Sequence, residues 1–168
     1  MLTASDLELR RVDLRQAQDA DALVFLLDHY AASHEGGGEP LSAYAHEHLV
    51  RRLTDWPGFV AFIAWAGTKP VGLINCFTGF STFSAKPLLN IHDVVVHADW
   101  RGRGMGRLLL AAAEGAALDS GCCKMTLEVL THNASARSLY TRYGFAAYEL
   151  DPALGTAMFM EKKLASPL

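Results

Sequence analysis

The sequence predicts a mixed α/β (α+β) fold around one sheet, in a single domain spanning residues 1–168. Three observations carry that expectation. Apolar runs of strand length alternate with segments of helical period along the chain. Phe59 to Ala66 and Val71 to Phe77 are joined by the turn-forming "GTKP", which makes them antiparallel neighbours. A chain of 168 residues, 51% of them apolar, can bury a hydrophobic core without disulfide or metal staples.

Leu7 to Leu14 alternates as a first strand should, and "AQDADALVFLLDHYAAS" places Leu23, Leu26, Leu27 and Tyr30 at helical spacing. "HEGGGEP", His34 to Pro40, breaks structure with three successive glycines and is expected to be a mobile loop before a second helix, "LSAYAHEHLVRRL". After the hairpin, "TGFSTFSAKPLLN" reads as a loop rich in aromatics, and Ile91 to Val96 is β-branched enough for a central strand. Leu108 to Leu118 is an alanine-rich helix with Leu108, Ala112 and Ala116 on one stripe, ended by Gly121. "KMTLEVL" is another strand and "ASARSLYTRYGF" a short helix stopped by Gly144. Thr156 to Leu164 is expected to be the last strand.

Composition narrows the function classes. No window approaches the roughly 18 uncharged apolar residues of a membrane span. The opening "MLTASDLELRRVDLR" lacks the basic start and apolar block of a secretion signal, so a cytoplasmic protein with no membrane association is expected. A net charge of -3 gives no reason to expect a nucleic-acid partner. Cys76, Cys122 and Cys123 are odd in number and lack metal-type spacing, which predicts reduced, buried thiols. His46 and His48 would diverge by about 200° on a helix, so they are not expected to share a metal, and no metal site is foreseen.

The stretch with most chemistry is "VVVHADWRGRGMGRLLL", Val94 to Leu110. A nucleotide-hydrolase phosphate loop needs Gly-Lys-Ser/Thr at its end, whereas Gly106 is followed by Arg107 and Leu108. The dinucleotide fingerprint needs glycine at 107 or 109, where Arg107 and Leu109 stand. What remains is Arg101-x-x-Gly104-x-Gly106 between a strand and a helix. There, glycines let backbone N–H groups close around an anion at the positive end of the helix. Arg101, Arg103 and Arg107 add cation density.

At these residues the chain resembles the GNAT superfamily, acyl-CoA-dependent N-acyltransferases with a pyrophosphate-binding Arg/Gln-x-x-Gly-x-Gly/Ala motif after a central strand. "LEVLTHNASARSLYTRYGF", Leu127 to Phe145, is similar to that family's second half: a strand, an Asn, a helix bearing Tyr, then Gly-Phe. The resemblance implies a mixed, mostly antiparallel twisted sheet of six to seven strands flanked by about four helices, with splayed central strands. It also implies acetyl-CoA as cosubstrate, a pantetheine arm bonded to the backbone of Val94, Val95 and Val96, and a pyrophosphate held by Arg101, Gly102, Arg103, Gly104, Met105, Gly106 and Arg107. Asn133 would face the cofactor arm or an active-site water. A homodimer is a further expectation by analogy with the family.

The implied reaction acetylates an amine on a small molecule or a peptide. An alkylamine with a lysine-like pKa is only about 0.04% neutral at pH 7, and supplying the neutral form costs about 4–5 kcal/mol, so a base is worth having. The departing thiolate needs a proton, and Tyr140 matches the tyrosine to which the family gives that role. Three residues compete as the base. Glu128 lies where members that acetylate protein N-termini carry a catalytic glutamate. His92 and Asp93 open the central strand, where polyamine acetyltransferases carry acidic residues; strand alternation would aim only one of the pair into the cleft. Tyr30, His34 to Glu39, Phe77, Phe80 and Phe83 are expected around the acceptor. The alternative function is a domain that binds acyl-CoA as a sensor or scaffold without chemistry, which would need the Arg-Gly loop but neither Tyr140 nor Glu128.

Overall fold

A computed structural model describes residues 7–148 and 158–164, and the chain divides at the Leu130–Thr131 boundary into two compact units. The first unit holds a five-stranded sheet in the order β1 (Leu7–Arg11), β2 (Phe59–Ala66), β3 (Lys69–Ser81), β4 (Lys86–Val96), β5 (Met125–Leu127). β1 to β4 are antiparallel, and β5 joins parallel to β4. Its helices are α1 (Ala17–Ala31), α2 (Ala43–Thr54) and α3 (Met105–Asp119), the last being the crossover between the parallel pair. The second unit carries α4 (Ala134–Tyr143).

Helical spacing explains how α1 packs. Leu23, Leu26 and Leu27 lie on its buried stripe and meet Ile63, Trp65, Leu73 and Val95 from one face of the sheet in a single apolar cluster. Leu49, Val50 and Leu53 of α2 cover the edge of that cluster. The loop between α1 and α2 forms a 3-10 turn, His34–Gly36, capped by Ser33. It is moored by Asp28, whose carboxylate accepts from Leu41 N–H and lies 2.9 Å from the His46 ring. Those two partners, the backbone donor foremost, hold the Asp28 carboxyl below its ordinary range.

α3 packs on the opposite face, because its neighbour Gly72 alternates with Leu73 along β3. A Cβ at Gly72 would lie 3.1 Å from Met105 Cγ and 3.2 Å from Leu109 Cδ1, so the missing side chain sets how closely α3 approaches. Both are side-chain atoms that can give by a few tenths of an ångström, and Gly72→Ala is expected to cost about 1 kcal/mol. Gly72→Val must move the helix itself and is expected to lose about 1–3 kcal/mol in urea unfolding. Equal stabilities for the two variants would show that α3 is not held by this contact.

Several expectations need correction. The buried stripe of α3 is Met105, Leu109, Ala113 and Ala117, one residue out of phase with Leu108, Ala112 and Ala116; Leu108 is exposed. Most of "TGFSTFSAKPLLN" is strand, because Thr78↔Leu89, Gly79↔Leu88 and Phe80↔Pro87 continue the β3–β4 ladder. Phe80 and Phe83 are exposed on that hairpin. The described residues form five strands rather than six or seven. Of the expected last strand, 156–157 lie outside the described residues, and 158–164 are not in a strand.

Candidate active site

Gly104, immediately before α3, has φ 80° and ψ 2°, and Gly102 has φ 75°; both lie in the left-handed region. An added Cβ would meet open space at either position, so glycine is required for backbone conformation, not for room. Gly104 offers no side-chain cap, and helix geometry leaves the N–H groups of Gly104, Met105 and Gly106 without a carbonyl one turn back. No acidic residue occupies the first turn. The loop therefore presents main-chain donors at the positive end of α3, an arrangement that fits a diphosphate.

The approach to that loop is braced from β4. A 3-10 turn, Ala98–Trp100, leads out of the strand, and Trp100 is buried. Arg101 Nε donates to the Val96 carbonyl at 3.2 Å, and the Arg103 guanidinium lies 5.0 Å over the Trp100 ring. His97 stacks on His29 of α1, with ring centroids 4.7 Å apart. Burial first, then Lys69 and His29, depresses the His97 pKa below the ordinary histidine value.

Val94, Val95 and Val96 pair with Ile74, Leu73 and Gly72 of β3. β5 pairs with β4 only at Leu89, Asn90 and Ile91, so the two parallel strands part company before these valines. Val95 points into the core, while Val94 and Val96 are half-buried. The splay expected from the resemblance is thus present between β4 and β5.

A bulge changes the reading of His92 and Asp93. Asp93 pairs with Asn75 and Ile91 with Cys76, which leaves His92 as the extra residue on β4. Asp93 Oδ2 accepts from Asn75 Nδ2 at 3.2 Å, and the His92 ring meets Phe77 edge-on with centroids 5.5 Å apart. Asn75 and Phe77 stand two apart on β3 and share a face, so both His92 and Asp93 reach that face. The expectation that only one could do so fails because the bulge interrupts the alternation. Tyr30 borders the same face: burial foremost, then the Asp93 and Glu35 carboxylates, pushes its phenol pKa up. Its hydroxyl donates to the Glu35 carbonyl at 3.4 Å. Phe59 completes the aromatic wall, 5.5 Å from Phe77 between ring centroids.

Of the remaining sequence-predicted residues, Glu128 belongs to the first unit and Asn133 and Tyr140 to the second. Glu128 follows the end of β5 and is exposed. Asn133 caps α4, its Oδ1 accepting from Ala136 N–H at 3.0 Å, which leaves its amide nitrogen for other partners. Tyr140 lies on α4 with its ring edge-on to Phe145 at 6.0 Å. Asn75 was not singled out from the sequence; a lone amide inside the apolar run Val71 to Phe77 was the available signal. Cys76 is buried and its thiol is pushed up to about 12, mainly by burial, so it is a poor nucleophile.

Comparison with known proteins gives a consistent pattern. The model of the acetyltransferase (GNAT) family matches residues 23–145. The uncharacterized N-acetyltransferase YhfO of Bacillus subtilis is 31% identical over 136 residues, covering 80% of this chain and 89% of that protein. Streptothricin acetyltransferase of Streptomyces lavendulae is 44% identical over 92 residues, covering 52% of this chain and 49% of that one, so the chain spans about half its length. Among solved structures, an aminoglycoside acetyltransferase from an uncultured soil metagenomic sample superposes with a TM-score of 0.78 at 20% identity, over 96% of this chain and 99% of that one. An aminoglycoside N-acetyltransferase in complex with CoA gives 0.72 at 16% identity, over 94% and 95%.

Proposed function

The chain belongs to the acetyltransferase (GNAT) family, and on that premise we propose that it moves an acetyl group from acetyl-CoA directly to a primary amine of a small molecule or peptide. The observation that carries this reading is the donor-rich turn of Gly102 and Gly104 opening α3, beside a β4 whose last three residues β5 does not pair. Residues 101 to 107 would hold the diphosphate and Val94 to Val96 the pantetheine arm. Bound acetyl-CoA supplies an acyl thioester, whose carbonyl carbon accepts the amine nitrogen as the carbon–sulfur bond breaks. The family match runs across both compact units, which supports treating them as one functional domain.

Asp93 removes a proton from the substrate ammonium, directly or through a water, and His92 beside it at the surface passes that proton on. Glu128 is the second candidate for this work. Tyr140 gives its hydroxyl proton to the departing sulfur and is reprotonated from solvent. Cys76 is held too far toward the thiol to carry the acetyl group, which favours one direct transfer over an acyl-enzyme.

Thiol release from acetyl-CoA against a panel of amines tests the activity. One accelerating amine distinguishes an enzyme from a sensor domain, which would bind acetyl-CoA and release none of it faster with any amine. With that amine in hand, Asp93→Asn, His92→Ala and Glu128→Gln assayed across pH identify the base. We expect Asp93→Asn to remove the limb that rises with pH, at a cost of about a hundredfold or more in kcat. Persistence of the limb in Asp93→Asn together with its loss in Glu128→Gln would transfer the role to Glu128.

A further inference from the structure

Asn75 is chemically out of place. It stands inside β3 with Leu73, Ile74 and Cys76 fully buried around it, and only 3% of its own surface is exposed. An apolar residue there would extend the core, whereas a buried amide costs stability for every atom left without a partner. Asn75 Oδ1 has none among the described residues. The amide does make one side-chain hydrogen bond, Nδ2 to Asp93 Oδ2, straight across the β3–β4 ladder and on the rung beside the bulge. An ionised carboxylate only accepts, so the amide has to turn its nitrogen toward it.

We propose that Asn75 is a positioning residue: it clamps one oxygen of Asp93 so that the other meets the incoming amine in a fixed direction. The proposal rests on Asp93 being the group that receives the amine proton. A carboxylate's terminal torsion is broad and two-fold when nothing holds it, so without the clamp the productive orientation becomes one of several. Among the described residues, the neighbouring groups are engaged elsewhere. Tyr30 of α1 gives its hydroxyl to Glu35 O, and Glu35 itself is a like charge. His92 packs on Phe77, and Cys76, next to Asn75 along β3, points to the opposite face of the sheet.

The test uses the full chain and the amine found in the thiol-release panel. Asn75→Leu removes the amide while keeping the number of side-chain heavy atoms, and Asn75→Ser repeats the experiment should the leucine variant fail to fold. With the clamp gone, kcat is expected to fall about tenfold to a hundredfold, the loss of one hydrogen bond to a charged group. The loss should sit in kcat, with the KM for the amine changed little, because the clamp fixes the direction of the carboxylate rather than the binding of the amine. The acetyl-CoA Kd should stay at the wild-type value, and Asn75→Leu/Asp93→Asn should be no slower than Asp93→Asn alone. A loss carried by KM instead of kcat, or a further loss in the double variant, would make Asn75 merely structural and overturn the proposal. A wild-type rate in Asp93→Asn would instead remove Asp93 from its role, and the clamp with it, which is a different failure from a loss carried by KM in Asn75→Leu.

Discussion

Tyr140→Phe is expected to lower kcat by about a hundredfold or more while leaving the acetyl-CoA Kd near its wild-type value. The substitution deletes one hydroxyl and keeps the ring that packs edge-on against Phe145, so α4 keeps its aromatic support. α4 is independently fixed at both ends. Asn133 caps its start, and Gly144, with φ 115°, ends it by donating to the Thr141 and Tyr140 carbonyls. A fall in kcat with the acetyl-CoA Kd and the thermal unfolding of the variant both at wild-type values therefore reports the proton and not the helix. Rapid-quench measurement of acetyl transfer in a single turnover separates that chemistry from product release. If the transfer rate of Tyr140→Phe equals that of wild type, the leaving thiolate finds its proton elsewhere and Tyr140 drops out of the mechanism. The variant also divides enzyme from sensor: a domain that only binds acetyl-CoA would lose nothing on losing this hydroxyl.

Local pattern made most of this architecture readable, and the failures share one cause. The period of Leu23, Leu26 and Leu27 and the "GTKP" turn are properties of neighbouring residues, so α1 and the β2–β3 hairpin could be placed from sequence. The far ends of β3 and β4 could not. Gly79 and Pro87 argue locally for a loop, and only pairing with each other's strand brings them into the sheet. The stripe of α3 was one residue out of phase because the helix begins at Met105 and is docked on Gly72, a partner 33 positions away. The bulge at His92 is the same kind of miss with a larger consequence. An inserted residue leaves no mark in an apolar run, yet it puts two titratable side chains on one face where strict alternation would put one. The Arg-Gly loop was legible because left-handed dihedrals at a helix start demand glycine in the sequence itself.

That dependence on glycine sets the second large effect. Gly104→Val should raise the acetyl-CoA Kd about tenfold to a hundredfold, since a β-branched residue at φ 80° carries strain on the order of 1–3 kcal/mol. The space around position 104 is open, so the valine clashes with nothing, and relief comes through rotation of the backbone. Rotation there swings the N–H groups of Met105 and Gly106 away from a common focus, and binding loses main-chain donors. Gly115 provides the contrast: it lies within α3, has open space for a Cβ, and its dihedrals are helical. Gly115→Ala should leave the Kd unchanged and, by helix propensity, add roughly 0.5–1 kcal/mol of stability. Calorimetric titration with acetyl-CoA measures both variants. Thermal unfolding gives a second reading, because ligand at about 100 times its Kd adds about 2.7 kcal/mol to a protein that binds it. Wild-type affinity in Gly104→Val would mean that the diphosphate is held by arginine side chains rather than by the helix terminus, and the three guanidinium groups would then be the next to remove.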